Sequence, residues 1–536
     1  MSGTEQPDYK SMTLDELYKL IQKYGSRNRA AESLGVSKTT FKDHVKSLEQ
    51  DNLAHRAVIE PVVFSTPKRG VKRYILTAAQ DSTQVHKPFL DNLLAYADHL
   101  GNCEVMISGF TYNKSLFEDH DKKGGSVYFD AAVEPYLTND RVILGDRIMF
   151  CGEFNRLPTT ALPLSGYRAY TQDKWGVFPH AKVHLESVPR MKGRPPKIIM
   201  TTGCVTKPNY IPKSAGIKAE FYHTYGAVLV EVAADGSIFP RHLLGDKDDG
   251  SFFDLDTYIV DGEFYYYRTK GIVLGDIHLR KINEICAKTV WGLDLATMKA
   301  TFSQDTMVGR LDPYYQFVHD LNDFKPRNHH NIKDPHHLYN MLVNGEESVS
   351  EEIEECARFL KAITAHGNEA IVVNSNHDEA LRKWLKTADY RSDPANAEFF
   401  LECQLDYYRE IKNGCSKPLI FERAVRRSIS DELDKVRFLD EDESFRLGAV
   451  EYGMHGHLGA NGARMTPRTM SLVGPKAVTA HTHSPSIYDG LWTTGVLGDL
   501  DMGYNTGMTS WAHACVVTYA NDKHAILFMD GDRWWA

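Results

Sequence analysis

The sequence predicts an α/β protein in three parts: a small helical domain ending in a β-hairpin over residues 1–80, an α+β middle domain over residues 85–267, and a layered α/β domain over residues 268–536. A chain of 536 residues is too long for one hydrophobic core. From Gly271 onward, apolar strands alternate with helices, which is typical of a layered α/β sandwich. The middle part combines β-like stretches with many aromatic residues, and its role stays open.

The first 80 residues carry a helical pattern followed by two short β-like stretches. Thr13 can cap a helix over 13–24, a second helix follows over 27–34, and a third over 38–50 comes after a Gly-Val-Ser turn. A β-hairpin is predicted from 57–65 and 71–77, with a basic tip. Together these elements resemble a winged helix-turn-helix.

This resemblance implies DNA binding, because such domains place their second motif helix in the major groove. Residues 10–74 hold 13 Lys and Arg against 7 Asp and Glu, whereas the whole chain has a net charge of −9. The residues predicted to contact DNA are Lys38, Thr39, Lys42, Lys46, Lys68 and Arg69. Two alternatives stay open: the domain docks a protein, or these cations are the solvated face that any amphipathic helix has.

Composition excludes several other classes of protein. No run of about 18 apolar residues exists, so a membrane-spanning helix is not expected. The polar start lacks the apolar core of a secretory signal. Eight cysteines without a C-x-x-C pair indicate reduced thiols rather than disulfides or a zinc ribbon. We therefore expect a cytoplasmic protein.

Five short blocks of Asp, Asn and His follow successive predicted strands. They are Asp276-Ile277-His278, Asp320-Leu321-Asn322-Asp323, Asn376-His377-Asp378, His455-Gly456-His457 and His481-Thr482-His483. Two divalent cations about 3.5–4 Å apart need a bridging carboxylate, imidazoles and neutral oxygen ligands. Asp320 is the natural bridge and Asn376 the neutral oxygen donor. The blocks together predict a two-metal hydrolytic centre.

These blocks resemble the pattern of the calcineurin-like metallophosphoesterases. The resemblance implies metal ligands at Asp276, His278, Asp320, Asn376, His455, His481 and His483. It implies one ion on Asp276, His278, Asp320 and His483, and a second on Asp320, Asn376, His455 and His481. It further implies that His377 contacts the scissile phosphate and protonates the leaving oxygen, that Asp378 orients His377, and that His457 lies at the pocket rim.

Three residues depart from the family pattern, because His319, Ser375 and Ala480 stand where the family has glycine. Ser375 and Ala480 are small enough for a strand end, whereas His319 is large and changes the local packing at its own position. The ligands themselves are all present. The departures therefore bear on packing around the centre and not on ligation.

The metal centre alone suits a phosphatase, a phosphodiesterase or a nuclease, and the basic N-terminal domain favours DNA. The whole arrangement resembles the pre-early DNA-degrading nucleases of large tailed bacteriophages. This implies a metal-dependent DNase that degrades host DNA in the bacterial cytoplasm, works as a homo-oligomer and prefers Mn, with Fe, Zn or Mg as other possibilities. The alternatives are a phosphoesterase for a small molecule or a protein, and a DNA-binding regulator with a relict phosphoesterase fold.

Overall fold

The computed structural model of the protein describes residues 9–24, 26–54, 60–112, 128–328, 331–430, 432–472 and 476–536. The chain is a mixed α/β protein that divides into two compact units, Met1–Pro61 and Val62–Ala536. Across the described ranges, no helix has the length and apolar character needed to cross a membrane.

The first unit contains the three predicted helices, α1 (Leu14–Tyr24), α2 (Arg27–Ser33) and α3 (Lys38–Ala54). Thr13 and Glu16 form a capping box at the start of α1, with the Thr13 N–H donating to Glu16 Oε2 at 2.8 Å. The buried residues that join the helices are Leu17, Ala30, Ala31, Leu34, Phe41 and Val45. The helical part of the N-terminal prediction is therefore confirmed, and α3 extends beyond the predicted end at residue 50.

The second unit contains the other helices and all the named strands of the described chain. Its helices are α4 (Lys87–Leu100), α5 (Ser214–Tyr222), α6 (Glu284–Trp291), α7 (Met307–Leu311), α8 (Pro335–Asn344), α9 (Val349–Ile363), α10 (Ala380–Thr387), α11 (Ala397–Lys412), α12 (Ile420–Ser428) and α13 (Pro467–Met470). Its strands up to residue 266 are β1 (Val62–Phe64), β2 (Val71–Gln80), β3 (Cys103–Phe110), β4 (Arg141–Leu144), β5 (Ile148–Cys151), β6 (Trp175–Phe178), β7 (Leu185–Val188), β8 (Arg190–Met191), β9 (Lys197–Thr201), β10 (Gly226–Ala233), β11 (Ile238–Leu244), β12 (Phe252–Asp254), β13 (Thr257–Val260) and β14 (Glu263–Tyr266). Those that follow are β15 (Gly271–Val273), β16 (Tyr315–Val318), β17 (Glu369–Val372), β18 (Val436–Phe438), β19 (Arg446–Leu447), β20 (Val450–Glu451), β21 (Ala477–Thr479), β22 (Ser486–Tyr488), β23 (Leu491–Thr493), β24 (Met508–Thr509), β25 (Ala514–Thr518) and β26 (His524–Phe528).

Two large sheets determine where the ends of these strands lie. One has six strands in the order β18-β17-β16-β15-β25-β26, and β15 to β18 run parallel. The other has eleven strands in the order β1-β4-β5-β6-β9-β7-β22-β23-β21-β20-β19. A four-stranded sheet, β11-β10-β2-β3, and the small sheet β12-β13-β14 complete the larger elements.

The core is arranged in layers of helices, sheet and sheet. Val273, Phe317 and Ile371 of the six-stranded sheet share one buried cluster with Val478 and Trp492 of the eleven-stranded sheet. The other face of the six-stranded sheet packs under α6, α9, α10 and α12 in a second cluster. Because β15, β16 and β17 are parallel, the loops that leave their carboxyl ends meet at one edge of this sheet.

The predicted wing is wrong. β1 pairs in parallel with β4, whereas β2 pairs with β3 and β10, so the two strands of the expected hairpin belong to different sheets. The last seven residues of β2 are buried, and a strand buried on both faces needs neighbours that a two-stranded hairpin does not supply. Lys68 and Arg69 lie between β1 and β2 in the second unit, and residues 57–59 of the expected hairpin lie outside the described chain.

The predicted boundaries at residues 80 and 267 also differ from the compact units, since the chain divides near residue 61 and the remainder forms one unit. The eleven-stranded sheet combines β4 to β9 with β19 to β23, and the two groups join where Ile487 of β22 pairs with Leu185 of β7. The sequence pattern changes near residue 268, but strands from both sides of this position pair in the same sheet.

Candidate metal centre

The residues of the first half of the site follow three neighbouring parallel strands, β15, β16 and β17. Gly271, Tyr315 and Glu369 are paired in register across β15, β16 and β17. Counted from that row, Asp276 and Asp320 each follow after the same number of residues, so both leave the sheet at the same height. Asn376 and His377 follow β17 in the neighbouring loop. The parallel register therefore brings the first three blocks together.

The second half comes from the eleven-stranded sheet. His455 follows β20, and His481 and His483 follow β21. Four residues of the site have left-handed backbone, with φ of 46° at His278, 44° at Asp320, 71° at His481 and 58° at His483. Such conformations cost about 1–3 kcal/mol each in residues other than glycine. The surrounding loops keep these four residues in the strained conformation. Their side chains point into a common space.

The first group of possible ligands is Asp276, His278, Asp320 and His483, and all four residues are buried. His483 Nε2 lies 3.1 Å from Asp276 Oδ2 and 3.1 Å from His278 Nε2. Both carboxylate oxygens of Asp276 are buried without a hydrogen-bond donor among the described residues. Buried carboxylate oxygens that accept no hydrogen bond and lie beside imidazole nitrogens suit a cation.

The second group is Asp320, His455 and His481. His455 Nε2 lies 3.3 Å from Asp320 Oδ2, and the amide oxygen of Asn376 is buried without a hydrogen-bond partner among the described residues. Asp320 belongs to both groups. The bridging of two cations by Asp320 stays a prediction.

Asp320 is ionised, and the imidazoles around it differ in protonation: His455 must lose a proton before it can bind a cation. Burial acts to raise the pKa of Asp320, but the His455 and His377 imidazoles beside it hold that pKa well below its usual range. Burial lowers the pKa of His481 to about 4 and also lowers that of His278. For His455, burial is outweighed by Asp320, which raises the imidazole pKa to about 9. The centre is thus an ionised carboxylate surrounded by imidazoles.

His377 is partly open to solvent, with 19% of its side chain exposed. Its ring lies 4.6 Å from that of His278. Its Nδ1 lies 3.4 Å from the Asp323 carbonyl oxygen and 3.9 Å from the Asp323 carboxylate. The same carboxylate lies 3.3 Å from His278 Nδ1, so Asp323 faces a predicted ligand and the predicted proton donor together.

The role predicted for Asp378 does not match its contacts. Its carboxylate accepts hydrogen bonds from the Asn322 N–H at 2.9 Å and the Ser375 hydroxyl at 3.0 Å, and no hydrogen bond joins it to His377 among the described residues. Burial raises its pKa to about 7. Asp378 therefore ties together the loops after β16 and β17. The acid that faces His377 is Asp323, the second aspartate of the D-x-x-D block, to which sequence reasoning assigned no role.

Two further histidines, His319 and His457, lie beside His455. His319, which departs from the glycine of the family pattern, is fully buried, and its Nδ1 lies 3.3 Å from His455 Nδ1. Burial lowers the pKa of His319 to about 3, so its ring is neutral. His457 lines a cavity of about 740 Å³ together with His455 and Asn376, in agreement with its predicted place at the rim.

The helix-turn-helix residues have the predicted exposure. Lys42 and Lys46 are exposed on α3, whereas Phe41 and Val45 of the same helix are buried. Lys38 pairs with Glu32 at 2.5 Å. Thr39, Lys68 and Arg69 are also exposed. These facts are compatible with DNA contact and leave it a prediction.

The fold and the site define a mixed α/β protein whose buried carboxylate–imidazole cluster can hold metal ions. Over 504 residues the chain is 36% identical to Protein A1 of Escherichia phage T5, and the match covers 92% of this chain and 88% of that protein. The chain belongs to the family of this phage protein. No family model and no solved structure matches the chain.

Proposed function

We propose that this protein is a metal-dependent DNase that hydrolyses phosphodiester bonds at a two-cation centre. The observation that carries the proposal is the position of Asp320, whose buried carboxylate belongs to two separate groups of ligands. A shared carboxylate between two sets of imidazoles is the arrangement that two-metal phosphoester hydrolysis requires. The layers of helices, sheet and sheet also fit the sandwich of the calcineurin-like metallophosphoesterases.

The ligands favour particular cations. Asp276, His278, Asp320 and His483 would hold one, and Asp320, Asn376, His455 and His481 would hold the other. Mixed imidazole and oxygen ligands suit Mn, Fe or Zn better than Mg, and Mn is our first choice. When bound, such cations neutralise charge on the phosphate oxygens and lower the pKa of an attacking water.

The residues of the chain supply the rest of the reaction. A water oxygen bonds to phosphorus and the ester P–O bond breaks, so the leaving oxygen needs a proton. His377, whose side chain is 19% exposed, would donate this proton. The backbone carbonyl and the carboxylate of Asp323 lie next to His377 Nδ1 and would fix the orientation of its ring.

DNA is the proposed substrate for two reasons. The first unit carries an exposed basic face on α3 of a helix-turn-helix, which suits phosphate contacts. The chain also belongs to a family with a phage member, which agrees with degradation of host DNA in the bacterial cytoplasm during infection. A homo-oligomer, in which paired sites engage one DNA, is part of the same proposal.

The test is DNA degradation by the purified full-length protein. With Mn, the protein should degrade plasmid DNA, whereas Asp320→Asn and His377→Ala should each lose this activity and chelation should abolish it. Degradation that survives both substitutions would refute the proposed centre. Turnover of a small phosphodiester with DNA left intact would favour the small-molecule phosphoesterase, and a protein that binds DNA but no metal would favour the regulator.

A further inference from the structure

A cavity of about 740 Å³ opens directly beside the second group of ligands. It shares Asn376 and His455 with the metal centre and continues past His457. Cavities of about 300–1,000 Å³ typically enclose one small molecule. A DNA duplex, whose major groove alone is about 12 Å wide, is far larger than this cavity. A single nucleotide fits inside it.

Part of the wall of this cavity is apolar, and the rest includes the carboxylates of Glu379, Glu441, Asp442, Glu443 and Glu451. Met454, Met465, Met470 and Leu491 belong to a small hydrophobic cluster that is separate from the main core, and all four line the cavity. Methionine side chains adapt their shape, and their sulfur atoms contact aromatic rings favourably. A wall of three methionines therefore suits a flat aromatic group such as a nucleobase.

The rim of the cavity offers one cation whose charge is available. Arg382 is neutralised by Glu379 and lies 3.5 Å from Glu441. Lys383, the next residue of α10, is exposed, and no ion pair engages it among the described residues. An exposed lysine beside a metal centre can contact a phosphate oxygen as a point charge.

We propose that this cavity binds one unpaired nucleotide of the strand that is cut, with its base against the methionine wall and Lys383 on a neighbouring phosphate. The inference rests on the proposed phosphodiester hydrolysis. A base that enters the cavity has left its stack and its partner, which is unfavourable in a duplex and much less so at a frayed end or in a single strand. The protein should therefore cut next to unpaired nucleotides in preference to fully paired DNA.

The experiment compares three chromogenic phosphodiesters with Mn and the full-length protein. Thymidine 5′-(p-nitrophenyl phosphate) and its 3′ isomer carry a nucleoside, and methyl p-nitrophenyl phosphate does not. Leu458 lines the cavity and is 38% exposed, so Leu458→Trp fills space without disturbing a core. Leu472, which is 75% exposed and does not line the cavity, provides the control Leu472→Trp.

The proposal expects the wild-type protein to favour at least one nucleoside ester over the methyl ester by tenfold or more in kcat/KM. Leu458→Trp should reduce this ratio to within twofold of unity, whereas Leu472→Trp should keep the wild-type ratio. Lys383→Met should raise KM for a dinucleotide at least threefold, and Lys386→Met, one turn further along α10, should not.

Two outcomes would overturn the inference in different ways. If all three esters are hydrolysed with equal kcat/KM, or if Leu458→Trp preserves the nucleoside preference, the cavity does not bind the nucleotide and the phosphodiester chemistry still stands. If none of the esters and no DNA is hydrolysed with Mn, the proposed function itself fails and the inference fails with it.

Discussion

His319 should control how tightly the second ligand group binds its cation. If His455 Nε2 faces the cation, its hydrogen must be on Nδ1, which then donates to His319 Nδ1 at 3.3 Å. Ligating histidines depend on such partners, and loss of one weakens metal binding by about 10–100-fold, or about 1.4–2.7 kcal/mol. His319→Phe keeps a ring in this buried position and removes the acceptor, so Mn affinity should fall by that factor.

The assay is calorimetric titration of the metal-free full-length protein with Mn, after thermal denaturation has shown that each variant is folded. His319→Asn is the matched control, because its amide oxygen restores an acceptor and should recover most of the affinity. Equal Mn affinity in the wild-type protein and His319→Phe would refute the reasoning. Equal losses in the Phe and Asn variants would show that His319 acts only through packing.

The remaining predictions concern the acid beside His377, a buried glutamate and the basic helix. Asp323→Asn should lower kcat at saturating Mn at least 100-fold, whereas Asp378→Asn should lower it less than tenfold, because Asp323 alone of the two faces His377. Burial raises the pKa of Glu352 from 4.5 to about 8. As the pH rises from about 4.5, the unfolded chain therefore loses this proton before the folded chain does. The free energy of unfolding falls between about pH 4.5 and pH 8 as a result. Glu352→Gln should therefore raise the melting temperature at pH 8.5 and leave it nearly unchanged at pH 4.5. Replacing Lys42 and Lys46 by alanine should reduce the slope of log K for DNA against log salt by about 2.

Each of these predictions has an outcome that would contradict it. A larger loss of kcat in Asp378→Asn than in Asp323→Asn would return the orienting role to Asp378. An equal effect of Glu352→Gln at both pH values would mean that the glutamate does not change protonation on folding. An unchanged salt slope, with Lys19→Ala and Lys23→Ala on α1 as the control pair, would assign the helix-turn-helix to protein docking.

The residues of the buried carboxylate–imidazole cluster could be predicted because their chemistry and their order along the chain are both local features of the sequence. Asp276, Asp320 and Asn376 each follow an apolar strand, and parallel pairing alone brings such positions together. The helices of the first unit were predictable for a similar reason, because the apolar positions of α3 repeat at helical spacing.

What the sequence could not predict depends on contacts between distant segments. β2 has the turn signals of a hairpin strand, and the wing is excluded by pairings with distant segments, of β1 with β4 and of β2 with β3 and β10. The contacts of Asp323 and Asp378 depend on how the loops after β16 and β17 fold against each other, because both are buried aspartates of these loops. The joining of β7 with β22 likewise leaves no local signal.

The central claim is that Asp320 bridges two cations, and the Mn content and electron paramagnetic resonance of the full-length protein test it most directly. The account predicts two Mn ions per chain with the spectrum of an exchange-coupled pair, and loss of that coupling in Asp320→Asn. A wild-type protein that binds at most one Mn, or two Mn ions without coupling, would contradict it.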